Sequence, residues 1–143
     1  MKISTKGRYA IRMLLDLAQH NGDDFVALKD IAERQNISKK YLEQIVPILN
    51  RSDILTTNRG YKGGYKLAKP ASQYRIGDIL RLTEGSLAPV ACLDLDPVGC
   101  KHSANCPTLP VWKGLYKAIT DYLDGITLQD IIDMQQSADD YVI

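Results

Sequence analysis

No segment of the sequence is apolar for long enough to cross a membrane. A spanning helix needs about 20 consecutive apolar residues, and no apolar run among the 143 residues approaches that length. The charged residues 1–8 are not followed by the apolar core of a signal peptide, because Arg12 and Asp16 interrupt the next segment. We therefore expect a cytoplasmic protein without a membrane partner.

The patterns that indicate an enzyme are missing as well. The chain has only two histidines, and its residues do not form a Ser-His-Asp set or a carboxylate pair in a predicted cleft. Its glycine-rich segment, residues 60–64, lies in a predicted hairpin and not before a helix, which is the wrong context for nucleotide phosphates. We predict that the protein is not an enzyme, which leaves nucleic-acid binding or a protein-interaction adaptor.

Cysteine is scarce, and its spacing is unusual. The three cysteines follow the pattern Cys-x7-Cys-x5-Cys at Cys92, Cys100 and Cys106, without the Cys-x2-Cys pairs of zinc ribbons or thioredoxin-like sites. In a reducing compartment an odd set of thiols is more typical of metal binding or redox sensing than of disulfides. The pattern allows an iron–sulfur cluster with one further ligand, a zinc site that includes His102, or a reactive-thiol switch.

Charge is divided unevenly between the two halves of the chain. Residues 1–70 carry 13 Lys and Arg against 7 Asp and Glu, a net charge of +6, whereas residues 71–143 carry 5 against 10, a net charge of −5. A basic half joined to an acidic half indicates that the first part contacts a polyanion.

Residues 28–51 have the pattern of a helix-turn-helix. A short amphipathic helix is followed by a turn around Ile37 and by Ser38, which is a favourable N-cap for the second helix. Pro47 lies where this second helix should still be continuous. Because proline removes one backbone hydrogen bond and crowds the carbonyl of Glu43, we expect a kink or an early end there.

Two short β-prone segments follow the helix-turn-helix and flank a loop rich in glycine and cations. A basic hairpin in this position is a wing. Together with a first helix at residues 4–20, the pattern predicts a winged helix-turn-helix domain with a linking helix at residues 1–84, with the helix-turn-helix at about 28–51 and the wing at about 54–68. The predicted fold is mainly α with a small β-hairpin wing.

The rest of the chain is predicted to be a loop, two helices and a tail. Residues 85–107 form the cysteine-containing loop, residues 108–136 contain two helices, and residues 137–143 are a tail. The first of these helices is long, has Pro110 in its first turn and carries a broad apolar stripe. This stripe can pair with a second copy of the chain or pack on its own domain.

The second helix of a helix-turn-helix places its N-terminal end in the major groove of DNA. Lysines there can neutralise phosphates or reach guanine acceptors, and a glutamate can accept a hydrogen bond from cytosine. An arginine on the wing suits the negative potential of a narrow minor groove. The predicted DNA-binding residues are Ser38, Lys39, Lys40, Glu43, Arg59, Gly60 and Lys62.

Four segments resemble one known family. They are MKISTKGRYA at 1–10, SKKYLEQ at 38–44, RGYKGGY at 59–65 and ITL at 126–128, and they are similar to the bacterial IscR/CymR family of winged-helix transcription regulators. The resemblance implies a homodimer on a pseudo-palindromic site of double-stranded DNA, joined through the long helix near Thr108. It also implies that Ser38, Lys40, Glu43 and Arg59 contact the groove or belong to the wing.

The resemblance further implies a cofactor. In IscR-type members three cysteines of this loop hold a [2Fe–2S] cluster, and Cys92, Cys100 and Cys106 match them in order. The family positions for a fourth ligand are occupied here by Leu109 and Arg8, which leaves His102 as the nearest candidate, followed by Asp94 and Asp96. CymR-type members lack these cysteines and respond to cysteine metabolism through a partner enzyme.

We therefore predict a homodimeric DNA-binding regulator, a repressor, whose operator binding depends on a [2Fe–2S] cluster in the cysteine loop. The alternative is a regulator of the same fold without a cluster, which responds through cysteine oxidation or through an enzyme of cysteine biosynthesis.

Overall fold

The computed structural model describes residues 2–20, 22, 24–61, 63–94 and 103–141. Within these residues the fold is mainly helical with one antiparallel hairpin. The elements are α1 (Thr5–Gln19), α2 (Leu28–Gln35), α3 (Lys39–Asn50), β1 (Leu55–Asn58), β2 (Gly64–Leu67), α4 (Ile76–Glu84), α5 (Leu109–Asp124) and α6 (Leu128–Tyr141). Short 3₁₀ turns occur at Ala71–Gln73, Ala91–Leu93 and Ser103–Asn105. The predicted fold class, mainly α with a wing, is confirmed.

Local capping explains where several helices begin. The Ser4 hydroxyl accepts a hydrogen bond from Gly7 N at the start of α1, and the Ser38 hydroxyl accepts one from Tyr41 N at the start of α3. Before α6, Thr127 and Asp130 exchange hydrogen bonds in the reciprocal arrangement of a capping box. Each cap satisfies backbone N–H groups that have no partner inside the helix.

The core is centred on α1, which packs against α2, α3, α4, α6 and β2. Its inward residues Met13, Leu14 and Leu17 are fully buried. Helices α2 and α3 pack on one side of α1, and they contribute buried side chains such as Ile31 and Ile45. The helix-turn-helix is therefore supported from behind by α1, and the other face of α3 remains open to solvent.

Pro47 does not end α3. The helix continues to Asn50, so of the two outcomes expected there, a kink or an early end, the early end was wrong. Proline removes only one backbone hydrogen bond, to the carbonyl four residues earlier. The burial of Val46 and Leu49 on either side of Pro47 anchors the last turn to the core and offsets that loss.

The wing is a short hairpin joined to the connector before α2. Leu55 pairs with Leu67 and Asn58 with Gly64 at its two ends. Val26 adds an isolated bridge to Tyr65, with both N–H···O distances at 2.8 Å. The wing is thus held from two sides, by its own ladder and by the connector between α1 and α2.

The C-terminal helices are tied back to the winged domain. Arg81 of α4 donates two hydrogen bonds to Asp124 of α5, at 2.8 and 2.9 Å, and this contact lowers the pKa of Asp124. Leu128 at the start of α6 is fully buried, and its N–H donates to the Tyr74 carbonyl at 3.0 Å.

The linking helix and the last helix both have defined ends. The linking helix ends at Glu84, and Gly85 follows with a φ of 82°, as expected of a glycine stop. Helix α6 continues to Tyr141, so the predicted tail from residue 137 was wrong for residues 137–141. Among the helices of the described residues, none is long and apolar enough to span a bilayer.

Candidate DNA interface and cysteine loop

The N-terminal end of α3 is exposed and cationic. Ser38 caps the helix, and Lys39 and Lys40 follow it on the solvent side, as does Glu43 one turn later. Neither lysine forms an ion pair within the part of the chain that the structure describes. The ammonium groups are therefore available for phosphates or for acceptors on base edges.

The wing and α3 enclose one groove. Glu43 and Pro47 of α3 line it on one side, and Thr57, Asn58 and Arg59 line it on the other. Thr57 Oγ1 donates to Asn50 Oδ1 at 3.3 Å, which links the first strand of the wing to the end of α3. The structure therefore brings together Glu43 and Arg59, two predicted DNA-binding residues that are distant in sequence.

The remaining predicted wing residues lie at the tip of the hairpin. Gly60 is exposed, and its N–H donates to Asn58 Oδ1 at 3.1 Å. Tyr61 is also exposed, and Lys62 lies outside the described residues. Arg59 and Gly60 are thus placed at the surface, as a DNA-binding wing requires.

An ion pair between a buried aspartate and an arginine at the surface fixes α2 against α1. Asp16 of α1 is fully buried, and its carboxylate accepts hydrogen bonds from Arg34 Nη2 at 2.7 Å and Arg34 Nε at 3.0 Å. Gln35 Nε2 donates to the same carboxylate at 3.0 Å. These bonds to Asp16 raise the pKa of Arg34 above its ordinary value. The pair therefore holds the end of α2, just before the turn of the helix-turn-helix.

A second contact joins α1 to the same turn. The Arg12 guanidinium donates to the backbone carbonyl and to the side-chain oxygen of Gln35. Arg12 also lies over the Tyr9 ring, which contacts the Tyr41 ring edge-on at a centroid distance of 5.4 Å. Helix α1 thus positions both helices of the helix-turn-helix, from a polar side at Gln35 and an aromatic side at Tyr41.

The structure describes two of the three cysteines. Cys92 lies in the 3₁₀ turn Ala91–Leu93, and Cys106 lies three residues before α5; both are half-buried and neither forms a disulfide. Cys100 and the candidate ligand His102 lie outside the described residues. Within the described ranges, three or more potential metal ligands do not come together in one place.

Cys106 is in an environment that favours the thiolate. Its Sγ lies 3.5 Å from Thr108 Oγ1, and this hydrogen bond, followed by those from the backbone N–H groups of Thr108 and Leu109, lowers the pKa of the thiol. A thiolate is the form that binds metal and the form that reacts with oxidants. The observation is thus compatible with metal binding, by a cluster or by zinc, and with the reactive-thiol switch.

The family positions for a fourth ligand have other roles in this chain. Leu109 is 6% exposed and begins α5 as a buried residue. Arg8 is exposed and donates to Thr5 Oγ1 at 3.0 Å. Asp94, close to Cys92 in sequence, accepts a hydrogen bond from Ser86 Oγ at 2.5 Å.

The residues that position the helix-turn-helix and the wing were not predicted from the sequence. A charge at an inward position of an amphipathic helix, as at Asp16, is a sign of a buried pair, but its partner Arg34 cannot be identified from the pattern. The Thr57–Asn50 contact carries no local signal, because both residue types are ordinary at a strand and at a helix end.

The chain is also similar in sequence to known transcription regulators. Residues 3–134 match the Rrf2 family model, described as an iron-dependent transcriptional regulator. An HTH-type transcriptional regulator of Neisseria meningitidis is 41% identical over 139 residues, which cover 97% of this chain and 93% of that protein.

Two solved structures share the fold. CymR, the global cysteine regulator of B. subtilis, superposes with a TM-score of 0.79 at 34% identity, covering 94% of this chain and 98% of the other. IscR of T. potens superposes with a TM-score of 0.77 at 38% identity, covering 96% and 90%. The names of these relatives also confirm that the chain is not an enzyme. The chain belongs to the Rrf2 family of DNA-binding transcription regulators, which confirms its resemblance to IscR and CymR.

Proposed function

We propose that the protein is a homodimeric repressor that binds a pseudo-palindromic operator through α3 and the wing. The observation that carries this proposal is the groove between them, which Glu43 of α3 and Arg59 of the wing both line, while the exposed Lys39 and Lys40 precede Glu43 on α3. A helix of this kind enters the major groove, and the adjacent hairpin reaches the phosphates or the minor groove.

The homodimer is supported by the outer face of α5. Val111, Leu115 and Tyr122 are 60%, 44% and 67% exposed, and they recur at helical spacing along one side of α5. Met134 of α6, 54% exposed, lies near the end of this stripe, because it lines the same recess as Tyr122. A row of exposed apolar side chains on one helix is typical of an interface. A C2 dimer would place two copies of α3 and the wing on one DNA duplex.

We further propose that Cys92, Cys100 and Cys106 hold a [2Fe–2S] cluster. Two half-buried thiols without a disulfide and a Cys106 environment that favours the thiolate suit cluster ligation. When bound, such a cluster would supply a redox-sensitive group just before α5. The fourth ligand is proposed to be His102.

Anaerobic spectroscopy tests the cluster. We expect the protein reconstituted with iron and sulfide to be coloured, with visible absorption that is lost in air, and we expect Cys106→Ser to remove most of that absorption. Ser103→Ala in the same loop is a control that should keep the spectrum. A colourless, iron-free wild-type protein after reconstitution would contradict the cluster.

A thiol switch is the second candidate function, and the lowered pKa of Cys106 favours it. The structural likeness to CymR, a cysteine regulator, supports the same alternative, in which the protein responds through cysteine oxidation or through an enzyme of cysteine biosynthesis. The spectra separate the two candidates, because a thiol switch needs no iron.

The proposed role of α3 and the wing in DNA binding predicts that two variants lose DNA affinity. We expect Lys40→Ala and Arg59→Ala each to weaken binding to a selected operator duplex by about tenfold, because each removes a charged contact to DNA. Lys113→Ala, which removes an exposed charge from α5, is the matched control and should bind as the wild type does. Affinity is measured by fluorescence anisotropy, and wild-type affinity in both Lys40→Ala and Arg59→Ala would overturn the proposed DNA-binding role of α3 and the wing.

A further inference from the structure

Tyr61 is the most exposed large apolar residue in the part of the chain that the structure describes. Its side chain is 96% exposed at the tip of the wing. By contrast, Tyr9, Tyr41 and Tyr65 are partly buried against the core, and Tyr74 is 3% exposed. The Tyr61 ring contributes nothing to the packing of the wing, so it is available for contact with a partner outside the chain.

The backbone turn that carries Tyr61 is compact. Asn58 Oδ1 accepts from Gly60 N, and Asn58 is also the last residue of the ladder, opposite Gly64. A Cβ at Gly63 would lie 2.6 Å from the Asn58 carbonyl oxygen and 2.7 Å from that of Gly60, so only glycine fits there. The aromatic ring is therefore displayed from a compact turn.

Charge indicates which side of the ring faces DNA. On the side towards α2, Tyr61 shares a recess with Asp24 and Asp30, whose carboxylates repel phosphate. On the other side the hairpin carries Arg59, which lines the groove between the wing and α3. DNA can thus approach the ring from the side of Arg59 and α3, and not from the side of α2.

We propose that the Tyr61 ring packs against the deoxyriboses along one wall of the DNA minor groove. This inference rests on the proposed DNA binding by the wing. The minor groove of B-DNA is about 6 Å wide, which admits a flat ring alongside one wall. Such a contact is apolar, so it differs from the charged contact of Arg59: it adds affinity without displacing counterions from the phosphates.

Salt dependence tests this assignment. A labelled duplex is first selected by the wild-type protein from a random-sequence pool, and its affinity is then measured over a series of KCl concentrations. We expect Tyr61→Ala to bind about tenfold more weakly at every concentration, because it loses the burial of the apolar ring, and to keep the wild-type slope of log K against log salt. Tyr61→Phe should bind within about twofold of the wild type, because it keeps the ring. Arg59→Ala, in contrast, should make the slope shallower by about 0.9.

Hydroxyl-radical footprinting gives a second readout that an indirect effect would not move. The radicals attack sugars in the minor groove, and we expect the sugars beneath the wing to lose protection in Tyr61→Ala and to keep it in Tyr61→Phe. The thermal midpoint of Tyr61→Ala should equal that of the wild type, since the ring is exposed. Wild-type affinity or wild-type protection in Tyr61→Ala would overturn the inference alone, whereas failure of the wild-type protein to select any duplex would overturn it together with the proposed function.

Discussion

Replacing Arg34 by methionine is expected to lower the free energy of unfolding by about 3 kcal/mol, because it leaves the carboxylate of Asp16 buried without its cation. Asp16 is fully buried, and two of its three close hydrogen bonds come from Arg34. The Nδ1 atom of His20 is 3.7 Å from the Asp16 carboxylate, too far for a hydrogen bond. The amide of Gln35 would then be the main remaining donor, and it carries no charge.

Three further variants give this prediction a sharp test by chemical denaturation. Lys29→Met on the same helix is the control, and it should change stability by less than about 0.5 kcal/mol, because Lys29 is exposed. Arg34→Lys should fall between the two, since it keeps the charge but loses the two-pronged geometry. Combining Arg34→Met with Asp16→Leu should recover much of the loss, because it removes the stranded carboxylate. Equal stability of Arg34→Met and Lys29→Met would show that the pair does not stabilise the fold.

The Asp16–Arg34 pair also shows where prediction from the sequence reaches its limit. The Ser38 hydroxyl caps α3 as predicted, and the hydroxyls of Ser4 and Thr127 cap α1 and α6 in the same way, because a cap depends on residues within one helical turn. Arg34 lies 18 residues from Asp16, and Glu84 accepts from Ser4 across 80 residues. Contacts of this kind depend on how the helices pack. The apolar pattern predicts which side of each helix faces the core, but it does not predict which residues of two helices meet.

The candidate DNA interface also contains residues that the sequence predicts and residues that it does not. Its groove-facing residues could be predicted, because the capped start of α3 and the glycine-rich hairpin have local patterns. The exposure of Tyr61 could not, since a tyrosine in a hairpin is equally compatible with packing on the core. The predicted tail at residues 137–143 was wrong for residues 137–141, which continue α6. The segment contains Ala138 but no glycine or proline to stop the helix.

Introducing a charge into the outer face of α5 is expected to dissociate the proposed homodimer into monomers and to reduce operator affinity by about a hundredfold or more. In Leu115→Glu the carboxylate would lie in the middle of the exposed stripe formed with Val111 and Tyr122. Burial of that carboxylate between two apolar helices is unfavourable without a partner. The DNA affinity falls because, in a dimer, binding of one winged domain to its half-site gives the second domain a high effective concentration at the other half-site. A monomer lacks this advantage.

Lys113→Glu is the matched control, because it introduces the same side chain on the opposite side of α5 and leaves the stripe unchanged. Sedimentation equilibrium should then report a dimer for the wild type and for Lys113→Glu, and a monomer for Leu115→Glu. The thermal midpoint adds an independent measure: association stabilises the folded state by mass action, so the midpoint should rise with protein concentration for both dimers and stay constant for Leu115→Glu. Because Leu115 is 44% exposed in the isolated chain, the substitution itself should leave the fold intact. A dimeric Leu115→Glu variant with wild-type operator affinity would place the dimer contact elsewhere, and the exposed stripe of α5 would then need another partner.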